Sequence, residues 1–148
     1  MPKKLPPKTE PLVYVLDSYA LLAYLEGEAG AEYIKTILHG SKAGNHRVLM
    51  SIINLGEVLY ITERERDLVR AQKVLALVEQ LPIEIVAASR EMVLAAAHIK
   101  ARYPIAYADA FAVALAQANQ AVVLTNDPEF QLVKDLIEVQ SLIQDKGL

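Results

Sequence analysis

With 148 residues, 53% of them hydrophobic and 22% charged, the chain excludes a disordered protein and suffices for one domain with a single core. It has no cysteine, which excludes disulfides, thiolate catalysis and zinc sites built on sulfur. A formal net charge of −3 argues against a basic surface that coats nucleic acid, yet is compatible with an acidic site that takes up divalent cations.

Residues 1–11 hold four prolines and three lysines without periodicity, and they read as a flexible extension ahead of a domain over 12–148. This lead-in lacks the apolar core of a signal peptide, and no apolar run approaches the roughly 20 residues that span a bilayer. The expected location is therefore the cytoplasm, with no membrane contact.

The apolar run 12–16 ends in Asp17 and Ser18, after which helical spacing begins, so a buried strand delivers an acid to a strand-to-helix turn. A helix is predicted from 18 to about 25, a break at Gly27 and Gly30, a short helix over 31–38 and a loop over 39–46. Residues 47–50 form a second strand that runs into a helix over 51–63, on which Ile53, Glu57, Tyr60 and Ile61 share one face at about 100° per residue. Asp67 can cap a following helix, which Pro82 ends. Residues 83–87 form a third strand, Ser89 starts a helix that closes before Pro104, and 106–117 form an alanine-dense helix bearing Asp109. Residues 121–125 are a fourth strand, Asp127-Pro128 a cap and first helical position, and 136–139 a short fifth strand.

Alternating strands and helices with short connections predict a three-layer α/β/α sandwich around a parallel sheet of four to five strands. In such sheets ligands bind beyond the carboxyl ends of the strands. Asp17 and Asp127 each follow a strand, and Glu57 and Asp109 are placed in the first turns of helices that face the same edge. Each acid alone reads as a cap or a solvated side chain; together they converge on one crevice. Two carboxylates about 4 Å apart repel by roughly 4 kcal/mol at an effective dielectric near 20, so the group requires raised pKa values or cations. An all-oxygen set favours Mg²⁺ or Mn²⁺, whose chemistry at a phosphodiester is hydrolysis.

Val15-Leu16-Asp17-Ser18, Ile53-Asn54-Leu55-Gly56-Glu57-Val58, Asp109-Ala110-Phe111-Ala112 and Leu124-Thr125-Asn126-Asp127-Pro128-Glu129-Phe130 stand in the order of the motifs of the PIN-domain family. Over about 12–139 the chain resembles that family, particularly its VapC-type toxins. The resemblance implies a metal-dependent ribonuclease of a type II toxin-antitoxin pair, with Asp17, Glu57, Asp109 and Asp127 as the catalytic and metal-binding acids. It implies that Ser18, Thr125 and Asn126 support the site or touch phosphate. RNA as substrate, a homodimer and an antitoxin that occludes the cleft are implied as well.

His39, His46 and His98 form no metal-ligand spacing. Arg64, Arg66, Arg70 and Lys73 are interleaved with acids and read as a solvated helix junction. Tyr19, Tyr24, Tyr60, Tyr103 and Tyr107 can stack on unpaired bases or pack at a core margin. Glu129 is accounted for as a first-turn acid that favours a helix N-terminus. The alternative function is a PIN-like RNA-binding or RNA-processing module with weak or partner-dependent nuclease activity.

Overall fold

The computed structural model describes residues 12–142; the expected N-terminal extension lies outside them. The elements in chain order are β1 (Leu12–Leu16), α1 (Ser18–Glu26), α2 (Ala31–Lys42), β2 (His46–Ser51), α3 (Ile52–Glu65), α4 (Leu68–Val78), β3 (Glu84–Val86), α5 (Arg90–Arg102), α6 (Tyr107–Asn119), β4 (Val122–Thr125), a 3-10 helix (Pro128–Val133) and β5 (Glu138–Ser141).

All five strands run parallel in the order β3-β2-β1-β4-β5. Because both faces are covered, the central strands read as near-continuous apolar runs, with alternate side chains feeding two separate cores. Tyr14, Leu16, Val48, Met50 and Leu124 face a layer built from α1 to α4. Val15, Leu49 and Val123 face α5, α6 and the 3-10 helix. The three-layer sandwich is thus the observed fold.

The strand order explains where a site can form. From β1 the chain moves outward through β2 to β3, with α1 to α4 on one face. It then returns over the opposite face through α5 and α6 to lay β4 on the other side of β1. Right-handed crossovers demand this change of face when the direction reverses. The reversal leaves a crevice between the carboxyl ends of β1 and β4, where the connections diverge.

Local structure departs from the sequence expectation at several points. Helix α2 continues through residues 39–42, expected as loop, because Gly40 lets the His46 ring lie against the helix. A Cβ there would stand 2.2 Å from His46 Cε1, and His46 Nε2 lies 2.5 Å from the Ile37 carbonyl. On α3 the buried residues are Asn54, Leu55, Val58 and Thr62, whereas Tyr60 is exposed. The face shared by Ile53, Glu57, Tyr60 and Ile61 is therefore the margin of the helix rather than its core stripe. Strand β5 starts two residues later than expected, because Ile137 is drawn into the core beneath the 3-10 helix. Helix α1 ends as expected at Gly27, whose φ of 65° is the left-handed conformation that lets its N–H reach the carbonyls of Ala23 and Tyr24. Among the described residues, no helix is long and apolar enough to cross a membrane.

Candidate active site

Strand β1 delivers Asp17 to the sheet edge, fully buried and in extended conformation. The side chain is a cap and a site residue at once. Oδ1 accepts the Ala20 N–H at 2.7 Å, closing the first turn of α1. Oδ2 accepts the hydroxyl of Thr125 at the end of the neighbouring β4. The same Thr125 oxygen accepts the Asp127 N–H at 2.8 Å, so one buried hydroxyl ties β1 to the loop that follows β4. Asp127 caps the 3-10 helix, its Oδ1 accepting the Glu129 N–H at 2.9 Å, with Pro128 at the first position.

Glu57 lies in the second turn of α3, not the first as expected, because it is the sixth residue of a helix that starts at Ile52 and one turn holds about 3.6. Ser18, buried at the start of α1, donates a 2.5 Å hydrogen bond to Glu57 Oε1 and turns that carboxylate toward the edge. Asn54, one turn earlier on α3, is fully buried. Its Nδ2 donates to the Ala108 carbonyl at 3.1 Å and lies 3.4 Å from Ser18 Oγ, while its Oδ1 has no partner. Asn54 thereby joins the starts of α1 and α6 to α3. In the sequence Asn54 stands in the Ile53–Val58 motif with no role of its own, and its one-turn spacing from Glu57 is the signal that points to it.

Asp109, in the first turn of α6, is 5% exposed. Oxygens of Asp109, Asp127 and Glu129 lie within 4.8 Å of one another, close enough to share one cation. Glu129 therefore joins the group, although its place after a cap gave it a sufficient local explanation. It reaches Asp109 because the segment after Pro128 curls as a tight 3-10 turn rather than an α-helix.

The electrostatics follow from this crowding. The Asp109 carboxyl is pushed up to about 7, first by burial and then by Asp17, Asp127, Glu57 and Glu129. Asp17 is also raised to about 7 by burial, with Asp127 and Glu57 adding to the rise; its bonds from Thr125 and Ala20 oppose it. Among the described residues, Lys and Arg form ion pairs only at Arg47–Glu84 and Arg66–Glu26, both outside this group. Among the described residues, no lysine or arginine is ion-paired with these acids.

Tyr19 stands at the mouth, 44% exposed, with its phenol raised by partial burial and by Glu57, Asp127, Asp109 and Asp17 in turn. It lines a cavity of about 250 Å³ with Asn126, Asp127 and Pro128. The histidines stay apart: His46 packs edge-on to Tyr14, His98 contacts Arg102, and His39 is exposed on α2. The basic cluster is the solvated junction expected, with Arg64 over the Tyr60 ring and Arg66 4.0 Å from Glu26.

An α/β domain with a carboxylate centre at the switch point of its strand order is the class these observations define. Residues 14–136 match the PIN-domain model, and the chain belongs to that family, whose membership implies a nuclease. Its fold is similar to that of solved structures at low identity. The VapBC2 complex of Rickettsia felis, bound to a DNA fragment from its promoter, aligns with TM-score 0.69 and 19% identity over 88% of this chain and 98% of the other. A DNA-bound VapBC of Salmonella typhimurium gives 0.71 and 18% over 89% and 99%. Mycobacterium tuberculosis VapC20, a toxin that cleaves the sarcin-ricin loop, gives 0.65 and 18% over 86% and 98%. No curated protein matches the chain by sequence.

The residues fit a divalent metal. The donor set is all oxygen, three carboxylates come within reach of one ion, and two buried carboxyls are held far above their ordinary range, with no ion-paired lysine or arginine among the described residues beside them.

Proposed function

We propose that the protein is an Mg²⁺- or Mn²⁺-dependent endoribonuclease, the toxin of a type II toxin-antitoxin pair acting in the cytoplasm. The observation that carries this reading is the convergence of Asp109, Asp127 and Glu129 within 4.8 Å beside the buried Asp17. Asp109, Asp127 and Glu129 would hold an ion, with Asp17 and Glu57 completing the acidic wall. Once bound, the ion supplies charge to a phosphodiester and lowers the pKa of an attacking water.

The chain's own residues perform the rest. Thr125 holds Asp17 in one orientation, and Ser18 does the same for Glu57, so neither carboxylate swings away when charge enters the site. Asp17 and Asp109, with carboxyls at about 7, are poised to give up or take a proton near neutral pH. Asp127 and Thr125 tie the β4 loop to the β1 edge, which keeps the acids at fixed spacing.

RNA as substrate is supported by VapC20, which cleaves an RNA loop. A cognate antitoxin is supported by the VapBC complexes of the same fold, and a homodimer completes the assembly proposed.

The test is cleavage of labelled single-stranded and structured RNAs in Mg²⁺, Mn²⁺ or EDTA, with Asp17→Asn and Asp109→Asn alongside. Metal-dependent cutting lost in both variants supports the reading. Folded protein that cuts no RNA in either metal overturns it in favour of a binding module.

A further inference from the structure

Beside the acids lies a feature that hydrolysis of a phosphodiester does not require. Tyr19 follows Asp17 and Ser18 in the first turn of α1, yet it turns outward and leaves 44% of its surface exposed. Across from it, Pro128 opens the 3-10 helix, and the two rings line a cavity of about 250 Å³ with Asn126 and Asp127. An aromatic ring and a proline ring facing one concavity make a sequence-tolerant stacking surface for a flat, apolar-faced group.

The concavity opens beside the carboxylates, since Asp127 lines it too and Tyr19 feels the charge of Glu57, Asp127, Asp109 and Asp17. A nucleobase answers such a surface, because its faces stack while its sugar-phosphate carries the reacting group to the acids. We propose that Tyr19 and Pro128 form a slot that stacks one unpaired base, of any identity, next to the scissile phosphate. This rests on the nuclease reading for the position of the phosphate, but not for the slot itself.

The chain contains no tryptophan, so Tyr19→Trp places a single fluorescent reporter in the wall. The probes are oligonucleotides about eight residues long, oligo(A), oligo(C), oligo(U) and an abasic ribose-phosphate chain, titrated in Ca²⁺. The expected result is saturable quenching by oligo(A), oligo(C) and oligo(U), and binding of the abasic chain weaker by about 10-fold or more without quenching. In cleavage, Tyr19→Ala should raise KM about 10-fold with kcat little changed, and Tyr19→Phe should restore it, because stacking is uniform binding made before and during the reaction.

Base-dependent quenching in a protein that cuts no RNA would uphold the slot while the nuclease reading fell. Metal-dependent cleavage with an unchanged KM in Tyr19→Ala, and equal affinity for abasic and base-bearing chains, would overturn the slot and leave the nuclease reading intact. Absence of quenching by every base-bearing chain would overturn it too.

Discussion

Replacing Asp109 with asparagine should make the metal-free protein more stable at alkaline pH while removing its activity. The carboxyl is held at about 7 against an ordinary value of 3.8, so the native state binds a proton that the unfolded chain has already released. A group raised in this way lowers stability as pH climbs from about 4 to 7, and the loss stays constant above that. Three units correspond to at most about 4 kcal/mol. Water and counterions at this open edge reduce the figure to roughly 1–2 kcal/mol. No hydrogen bond among the described residues ends on the Asp109 carboxylate, so the neutral isostere forfeits none. Thermal unfolding in EDTA should therefore show Asp109→Asn melting about 3–6 °C above the parent at pH 8, with the advantage shrinking toward zero at pH 4. An advantage independent of pH, or a variant less stable than the parent at pH 8, would refute the argument that crowded charge governs this site.

The same crowding sets further outcomes. Adding Mg²⁺ at pH 6.5 should release on the order of one proton per chain as Asp17 and Asp109 ionise; calorimetry in buffers of different ionisation enthalpy measures this, and no buffer dependence would contradict it. Thr125→Val leaves an Asp17 oxygen and the Asp127 N–H unpaired and should cost about 2–3 kcal/mol in urea unfolding, whereas Thr125→Ser should stay within about 1 kcal/mol of the parent. Ser18→Ala frees Glu57 and should cut cleavage at least about 10-fold for a stability loss near 1 kcal/mol; undiminished cleavage would remove Ser18 from the site. Gly40→Ala drives a Cβ into the anchored His46 ring and should destabilise by about 1–3 kcal/mol. Gly56→Ala, which meets nothing within 4 Å on its helix, should instead gain up to about 1 kcal/mol in the same unfolding assay.

Much of this architecture is legible along the chain because local chemistry settles it. An apolar run that stops at Asp17, helix-capping residues at Asp67 and Ser89 and an aspartate-proline pair at 127–128 mark strand ends and helix starts wherever the chain goes afterwards. The structure bears these out, with Asp17, Asp67, Ser89 and Asp127 all capping through their side chains. The alternation of strand and helix carries the parallel sheet with it, since parallel neighbours require crossovers.

Other features depend on partners distant in sequence, and these the chain shows only in part. Residues 39–42 look like loop by composition; they are helical because Gly40 meets His46 from β2. Glu129 has an adequate role beside its own cap, and only the proximity of Asp109, 20 positions earlier, makes it a candidate ligand. Asn54 is an unremarkable polar residue until Ala108 and Ser18 close around it. The residue types and the edge to which they point were therefore set by local propensity and strand polarity. Their mutual distances, and the pKa values that crowding and burial impose, arose where β4 was laid beside β1, because electrostatic and hydrogen-bond energies depend on separation in space and not along the chain.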